Sequence, residues 1–477
     1  MNTTKRWWRL EIILLLIVIV LLIFVLGVVC RHHHGGHRPP SGPVDSIPWT
    51  TWNILFKQGT TAAERAVKTT ELKNSIEKYL ADNGLDTSRS HVSFVAHFCP
   101  CDSNLQNLDV QIINESGDPV TPPPPTGYKP PTQGLGGSVY VSAVNIPVSI
   151  PEKNNDTALF AQTGLNDSFM VGYTSKPQSS ADPVLAVIDT GLDSTEFFPA
   201  FRASGVSSLV WKDPSHRPTL YNTLIGSDPG RLTDDETGFK HGTSVTYIAL
   251  SAVFPQYPRI MVLKALDAKG SGSIFTVSCA MSYALQHKVT AINASLGYQG
   301  LVDPILQHYF EKGNAMKIPM VVAAGNDPSK NHDPNLVCSD QVNQADSLVP
   351  PDLFYPAAFS STMNYVISVT GVNSDTLPCH FQKFSNQEVY TGVLVDHPGG
   401  SCCSYFIPYL DRGSFVEGSS FVTPVISGKL MIGKAAVGTS PNGSPLPFDP
   451  RIYMNSFPQS PKLIPYIESG RYTIWTY

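Results

Sequence analysis

Five short apolar runs rich in β-branched residues constrain this 477-residue chain most: Val184 to Ile188, Ile260 to Leu263, Val289 to Ile292, Pro319 to Ala323 and Tyr365 to Val369. Runs of this kind suit strands covered on both faces, as in a buried parallel sheet. Helix-like stretches lie between several of them. From Ser273 to Lys288, for example, Ile274, Val277, Ala280, Met281 and Leu285 recur at helical spacing. Alternating strand and helix signals predict an α/β fold with a mostly parallel central sheet flanked by helices. In such sheets functional groups gather at the carboxyl ends of the strands. Asp189, Ser295 to Gly297, and Asn326 stand at those ends.

Three short motifs follow in fixed order: Ala-Val-Ile-Asp189-Thr-Gly, His241-Gly-Thr, and Gly-Ser-Ser420-Phe-Val-Thr-Pro. They supply a carboxylate, an imidazole and a hydroxyl. A hydroxyl near neutral pH is a poor nucleophile, so it needs an imidazole to take its proton and a carboxylate to hold that imidazole in the right tautomer. Each motif alone is weak. Asn326 in Gly-Asn-Asp also reads as a turn residue, and Ser420 as a helix N-terminal residue. The order Asp, His, Ser is the informative part, because it differs from that of chymotrypsin and of the α/β-hydrolases.

Residues 181 to 435 resemble a subtilisin-like serine peptidase domain. The blocks that carry the resemblance are Val184-Leu-Ala-Val-Ile-Asp189-Thr-Gly, His241-Gly-Thr-Ser-Val, Val262-Leu-Lys-Ala-Leu-Asp-Ala-Lys-Gly-Ser-Gly, Ala291-Ile-Asn-Ala-Ser-Leu-Gly297, Val321-Val-Ala-Ala-Gly-Asn326 and Gly418-Ser-Ser420-Phe-Val-Thr-Pro424. The resemblance implies a serine endopeptidase acting on polypeptides, with Ser420 as nucleophile, His241 as general base and Asp189 as its orienting group. It implies that Asn326 and the backbone N–H of Ser420 stabilise the oxyanion. It also implies that Ser271-Gly272 and Ser295-Leu296-Gly297 flank an extended substrate and pair with its backbone. No cofactor is required for such chemistry. Calcium as a structural ion is compatible with the resemblance, but no ligand cluster is assignable.

The chain departs from the family pattern beside the triad. Thr246-Tyr247 replaces a small Ala-Gly pair, and Phe421-Val422 replaces Met-Ala. A second reading follows, of a subtilisin-like fold kept as a binding or surface scaffold in which these bulkier residues block catalysis.

At the N-terminus, Ile12 to Val29 is an uninterrupted apolar run of 18 residues, preceded by Lys5, Arg6, Arg9 and the pair Trp7-Trp8. That length spans a bilayer, and the flank suits an interfacial anchor. Residues 10–30 are therefore expected to form a transmembrane signal anchor, with residues 1–9 in the cytoplasm and the peptidase domain outside it. His32, His33, His34 and His37 follow as a polar flank. A net charge of −5 argues against nucleic-acid binding.

Residues 31–50 read as a linker, and 51–115 as a small α+β module. In the module a helix from Ala62 to Asn83 is expected, with a capping box at Thr61 and Glu64 and one face formed by Leu72, Ile76, Tyr79 and Leu80. Asn83-Gly84 should stop it. Subtilisin-like enzymes carry a small α+β propeptide at this position; an ordinary spacer is the other reading. Residues 116–150 read as a Pro-rich linker, with processing expected between about residues 121 and 180. The peptidase domain is assigned to 151–435, and 436–477 to an irregular tail. Of the eight cysteines, Cys279 is expected as a buried thiol on a helix face. Cys99, Cys101, Cys338, Cys379, Cys402 and Cys403 allow fifteen pairings, none preferred.

Overall fold

The computed structural model describes residues 51–82, 90–114, 116, 139–144, 146–150, 182–192, 220–224, 235, 240–253, 258–326, 353–379, 381–395, 404–409, 412–437 and 447–474. The chain divides into two units, Met1–Asp45 and Ser46–Tyr477, and all described residues belong to the second. The apolar run at residues 10–30, the linker at 31–50 and Asn83-Gly84 lie outside them. No described helix is long and apolar enough to cross a membrane.

The first part of the unit is a four-stranded sheet with one helix. Strand β1 (Thr51–Phe56), helix α1 (Ala62–Asp82), β2 (Ser90–Cys99), β3 (Asp102–Asn114) and β4 (Val139–Val144) form a sheet in the order β2-β3-β1-β4. Glu64 and Thr61 close the capping box: the Thr61 N–H donates to Glu64 at 2.8 Å and the Glu64 N–H donates to the Thr61 hydroxyl at 3.2 Å. Leu72, Ile76 and Leu80 of α1 are buried against Trp52, Ile54 and Phe56 of β1 and Leu108, Val110 and Ile112 of β3. One boundary differs from the sequence expectation. Val139 to Val144, placed in the Pro-rich linker, instead pairs antiparallel with β1, because β1 exposes a second edge that only the folded sheet presents.

A short strand, β5 (Pro147–Ser149), leads into the second part. There follow β6 (Val184–Asp189), β7 (Leu220–Asn222), α2 (His241–Ser251), β8 (Arg259–Lys264), β9 (Ser271–Ser273), α3 (Ile274–Gln286), β10 (Ala291–Ala294), β11 (Tyr298–Gln299), α4 (Pro304–Ala315), β12 (Met320–Ala323) and β13 (Phe354–Tyr355). The chain ends with β14 (Val366–Val372), β15 (Thr391–Leu394), β16 (Ser404–Tyr409), β17 (Arg412–Glu417), α5 (Ser419–Ala436), α6 (Pro450–Met454) and β18 (Tyr472–Ile474). Eight strands form one parallel sheet in the order β18-β15-β14-β12-β10-β6-β8-β7. Residues 436–477 are thus not an irregular tail throughout. Residues 472–474 supply the edge strand, pairing parallel with β15 from Gly392 to Leu394.

Period-two alternation divides the core between the sheet faces. Ala186, Ile188, Met261 and Leu263 pack under α3 and α4, while Leu185, Val187, Ile260 and Val262 pack under α2 and α5. The four-stranded module joins the first of these clusters through Leu55, Leu105 and Ala143. It also joins covalently. Cys279 is not a thiol but is bridged to Cys99 at the end of β2, 180 residues away. Cys379 is disulfide-bonded as well.

Helix α4 begins on a buried carboxylate. Asp303 Oδ1 accepts from the N–H groups of Ile305 and Leu306 at 2.8 and 2.9 Å, while its buried Oδ2 has no hydrogen-bond partner among the described residues. Burial pushes the Asp303 pKa up from 3.8 to about 6, against the lowering effect of the two backbone donors. A carboxyl group raised above its unfolded pKa binds more protons when folded, so its contribution to stability is lost as pH rises from about 4 to about 6. Asp303→Asn keeps the capping oxygen and removes the charge. In urea unfolding between about pH 4 and pH 6.5, the wild type should lose about 2 kcal/mol relative to this variant.

Candidate active site

Strand β6 is the turning point of the large sheet. The chain runs to one side of it through β7 and β8, then crosses to the other side at β10. In sheets of this kind the functional crevice lies at the carboxyl end where the order reverses, and Asp189 is the last residue of β6. His241 is the first residue of α2. Its Nδ1 lies 2.7 Å from Asp189 Oδ1, with both side chains almost fully buried. The same carboxylate oxygen accepts from the Thr190 N–H at 2.8 Å, which fixes its direction.

Sequence reasoning missed the group that clamps these two elements together. Buried Asp235 accepts from the Thr190 hydroxyl at 2.9 Å and from the N–H and hydroxyl of Thr243 at 2.9 and 3.0 Å. The Thr190 hydroxyl in turn accepts from the Gly242 N–H. Gly242 permits the close approach, since a Cβ there would fall 2.3 Å from the Gly191 carbonyl oxygen. Asp235 is distant in sequence from Asp189 and stands in a polar stretch of sequence, so no local pattern marks it.

Ser420 is the second residue of α5, in the first turn, where backbone N–H groups lack intrahelical acceptors. The chain enters this helix through Gly418 at φ 119°, a conformation that favours glycine. A Cβ on Gly418 would lie 2.9 Å from Asn326 Nδ2 and 3.6 Å from Ser420 Oγ. The Asn326 amide nitrogen and the Ser420 hydroxyl therefore flank the same α-carbon. Asn326 is held from its other atom, with its Oδ1 accepting the Ser419 N–H at 2.9 Å. The Ser419 hydroxyl accepts from the Gly325 N–H at 3.0 Å. The His241 ring sits 5.0 Å from that of Phe421, the neighbour of Ser420.

Pro424 lies inside α5 and has no N–H to give the carbonyl of Ser420 four residues back. The Ser295 hydroxyl fills that place, donating to the Ser420 oxygen at 2.7 Å. Behind it the Asn293 amide donates to Ser295, and the Ser427 hydroxyl to Asn293. Ser295, expected beside the substrate, thus has its side chain turned into the helix start. Ser295→Ala should lower the unfolding free energy by about 1–3 kcal/mol, because the buried carbonyl loses its donor. Denaturant titration reads this directly.

The four residues that depart from the family pattern are all buried: Thr246 and Tyr247 on α2, Phe421 and Val422 on α5. Tyr247, Phe421 and Val422 belong to the cluster beneath these two helices. The two helices approach closely further along, at Gly428, where a Cβ would fall 2.5 Å from the Ala249 carbonyl oxygen.

The expected substrate edges, Ser271-Gly272 and Leu296-Gly297, are occupied by the chain itself. Residues 146–150 run between them as a strap. Strand β5 is antiparallel to β9, with Val148 opposite Gly272. The Ser149 N–H donates to the Gly297 oxygen at 3.0 Å, and the Gly297 N–H to the Ser149 oxygen at 2.9 Å. The Ile150 N–H donates to the Gly270 oxygen at 3.0 Å, and the side chain of Val148 is buried. This is strand addition at two exposed edges, in which main-chain hydrogen bonds supply affinity.

No carboxylate cluster suited to calcium converges among the described residues; the one convergent set of metal-type ligands is Cys99, Cys101 and Cys279.

The subtilase family model matches residues 180–440. A thermophilic serine proteinase of Bacillus sp. (strain AK1) is 26% identical over 282 residues, covering 55% of this chain and 58% of that protein. An intracellular serine protease of Paenibacillus polymyxa is 30% identical over 246 residues, covering 48% and 65%. Subtilisin E of Bacillus subtilis (strain 168) is 25% identical over 269 residues, covering 54% and 55%. The chain therefore spans between about half and two thirds of the length of these relatives. The matched segment holds seven of the eight strands of the large sheet, the buried Asp189–His241 pair and the Ser420 helix, and the chain belongs to the subtilase family.

Proposed function

We propose that the chain is a membrane-anchored serine endopeptidase that hydrolyses polypeptides through an acyl-enzyme on Ser420. The observation that carries the reading is the buried 2.7 Å contact of His241 Nδ1 with Asp189, which holds the imidazole as a base for the hydroxyl of α5. His241 takes the Ser420 proton as the hydroxyl attacks the scissile carbonyl, and returns it to the leaving amine. The Asn326 Nδ2 and the Ser420 backbone N–H supply donors for the oxyanion. Leu296-Gly297 and Ser271-Gly272 bind the substrate backbone as they bind the strap. Family membership and the serine proteases among the relatives support the same chemistry.

In this reading residues 51–150 are an internal inhibitor of the propeptide kind. The module packs beside α3, and its strap lies where a substrate would lie. Residues 10–30 hold the protein in the membrane with the peptidase domain outside the cytoplasm. The scaffold alternative has no observation in its favour, because the residues that suggested it fill the helix packing.

A fluorophosphonate probe tests the catalytic reading. Protein cut after the strap should be labelled, and Ser420→Ala should abolish the labelling. Folded, cut protein that takes up no probe would sink it. Carbonate extraction of membranes tests the anchor: the full chain should stay with the lipid fraction and a chain lacking residues 1–45 should not.

A further inference from the structure

Three sulfurs meet where the module touches the peptidase domain. Cys99 at the end of β2 is bridged to Cys279 on α3. Cys101, outside the bridge, has its Sγ 3.0 Å from Cys99 Sγ and 3.5 Å from Cys279 Sγ, and it donates to the Cys279 carbonyl oxygen at 3.2 Å. The surroundings hold this turn against α3 and α4. Asp102 accepts from the Tyr309 hydroxyl at 2.8 Å and the Ser282 hydroxyl at 3.2 Å, and the Gln286 amide donates to the Cys101 oxygen. Cys99 and Cys279 are buried, whereas Cys101 is partly exposed.

The placement of the bridge has a consequence for release of the strap. Cys99 precedes the strap and Cys279 lies in the peptidase domain, so a chain cut anywhere between Pro151 and Ala181 remains one covalent molecule. A strap so tethered faces its groove at a high effective concentration and rebinds after every opening. Cutting the peptide bond alone does not free the cleft.

We infer that Cys99, Cys101 and Cys279 form a thiol–disulfide exchange site that controls release of the module, with a dithiol reductant as its substrate. This inference rests on the peptidase reading above. The Cys101 side chain, which lies beside the bridge, turns to bring its thiolate in line with the Cys99–Cys279 bond and attacks Cys99 Sγ. The Cys99–Cys101 bond forms as the Cys99–Cys279 bond breaks, and Cys279 leaves with the electron pair and takes up the proton that Cys101 lost. That step is an isomerisation with no net oxidation. A dithiol then reduces the Cys99–Cys101 disulfide, giving two protein thiols and its own cyclic disulfide, and prevents the return reaction. Exchange through Cys101 matters because the other two sulfurs are shielded from solution.

The test uses the full chain with a recognition site for a sequence-specific protease inserted after Lys153. After cutting, non-reducing gels should show the two fragments of the wild type joined, and those of Cys279→Ser separate. Fluorophosphonate labelling of cut wild type should rise about a hundredfold on adding dithiothreitol. Cut Cys279→Ser should label at the high rate without reductant and gain nothing from it, which separates this bridge from the one at Cys379. Cys101→Ser should stay joined and release its module about tenfold more slowly or worse at the same dithiothreitol concentration. Wild-type fragments that separate without reductant, equal labelling before and after reduction, or unchanged release in Cys101→Ser would each overturn the inference. If Cys279→Ser does not fold, the wild type with and without dithiothreitol supplies the same comparison. Absence of labelling in every form would overturn the catalytic reading instead, while the gels still decide the tether.

Discussion

In protein freed of its strap, Ser420→Ala should lower kcat on a peptide substrate by about six orders of magnitude with KM nearly unchanged. The magnitude is the one measured for the corresponding serine of subtilisin, a family relative, and is carried over on that basis. The physical reason is that the proposed mechanism runs through this hydroxyl, whereas it spreads binding along the backbone edges at Gly297 and Gly272 that now hold the strap. Loss confined to kcat marks an interaction made in the transition state. Stability should change little, because the variant removes one small polar atom from a first turn whose hydrogen bonds run through Ser419, Asn326 and the Ser420 carbonyl. Steady-state kinetics at saturating substrate, with melting temperature alongside, make the measurement. A kcat within about tenfold of wild type would remove Ser420 from the mechanism.

Asp189→Asn should lower kcat by about four orders of magnitude, again by carry-over from triad carboxylates in serine proteases. The substitution conserves shape. Its effect comes from hydrogen-bond polarity, since an amide donates to His241 Nδ1 where the carboxylate accepted from it. The imidazole then carries its proton on Nε2 and cannot take one from Ser420. The positive charge that develops on His241 during attack also loses its counter-charge in a site closed to water. Global stability should be retained or raised, because a buried carboxylate is removed without changing volume. Loss of kcat with an unchanged fold separates this role from a structural one. A comparable loss of stability would reassign Asp189 to the scaffold.

Both predictions concern residues that were legible before folding. Val184 to Ile188 is apolar and β-branched, so it reads as a buried strand by itself, and Asp189 follows directly at its end. The capping box at Thr61 and Glu64 was legible for the same reason, since its partners lie three residues apart. Local spacing carries such information because the hydrogen bonds involved are local.

Other features had no local trace. Thr246, Tyr247, Phe421 and Val422 looked like obstacles because only the folded core shows that all four side chains are buried away from solvent. Ser295 belongs to the carbonyl that Pro424 leaves open, two segments apart in sequence and adjacent in space. The strap at residues 146–150 is a three-residue strand beside a proline, and its edges come from β9 and from Gly297.

Local periodicity thus determined the α/β class and the carboxyl-terminal placement of Asp189 and Asn326, while the blocks of family resemblance named the expected reacting groups. Tertiary structure alone decided that Asp235 clamps β6 to α2, that residues 146–150 fill the expected substrate edges, and that Cys279 is bridged to Cys99 across 180 residues. The division follows from the range of the forces. Strand and helix patterns record which side of a segment meets the core, within a few residues. Pairing between distant edges and distant sulfurs depends on which surfaces the finished core brings into contact.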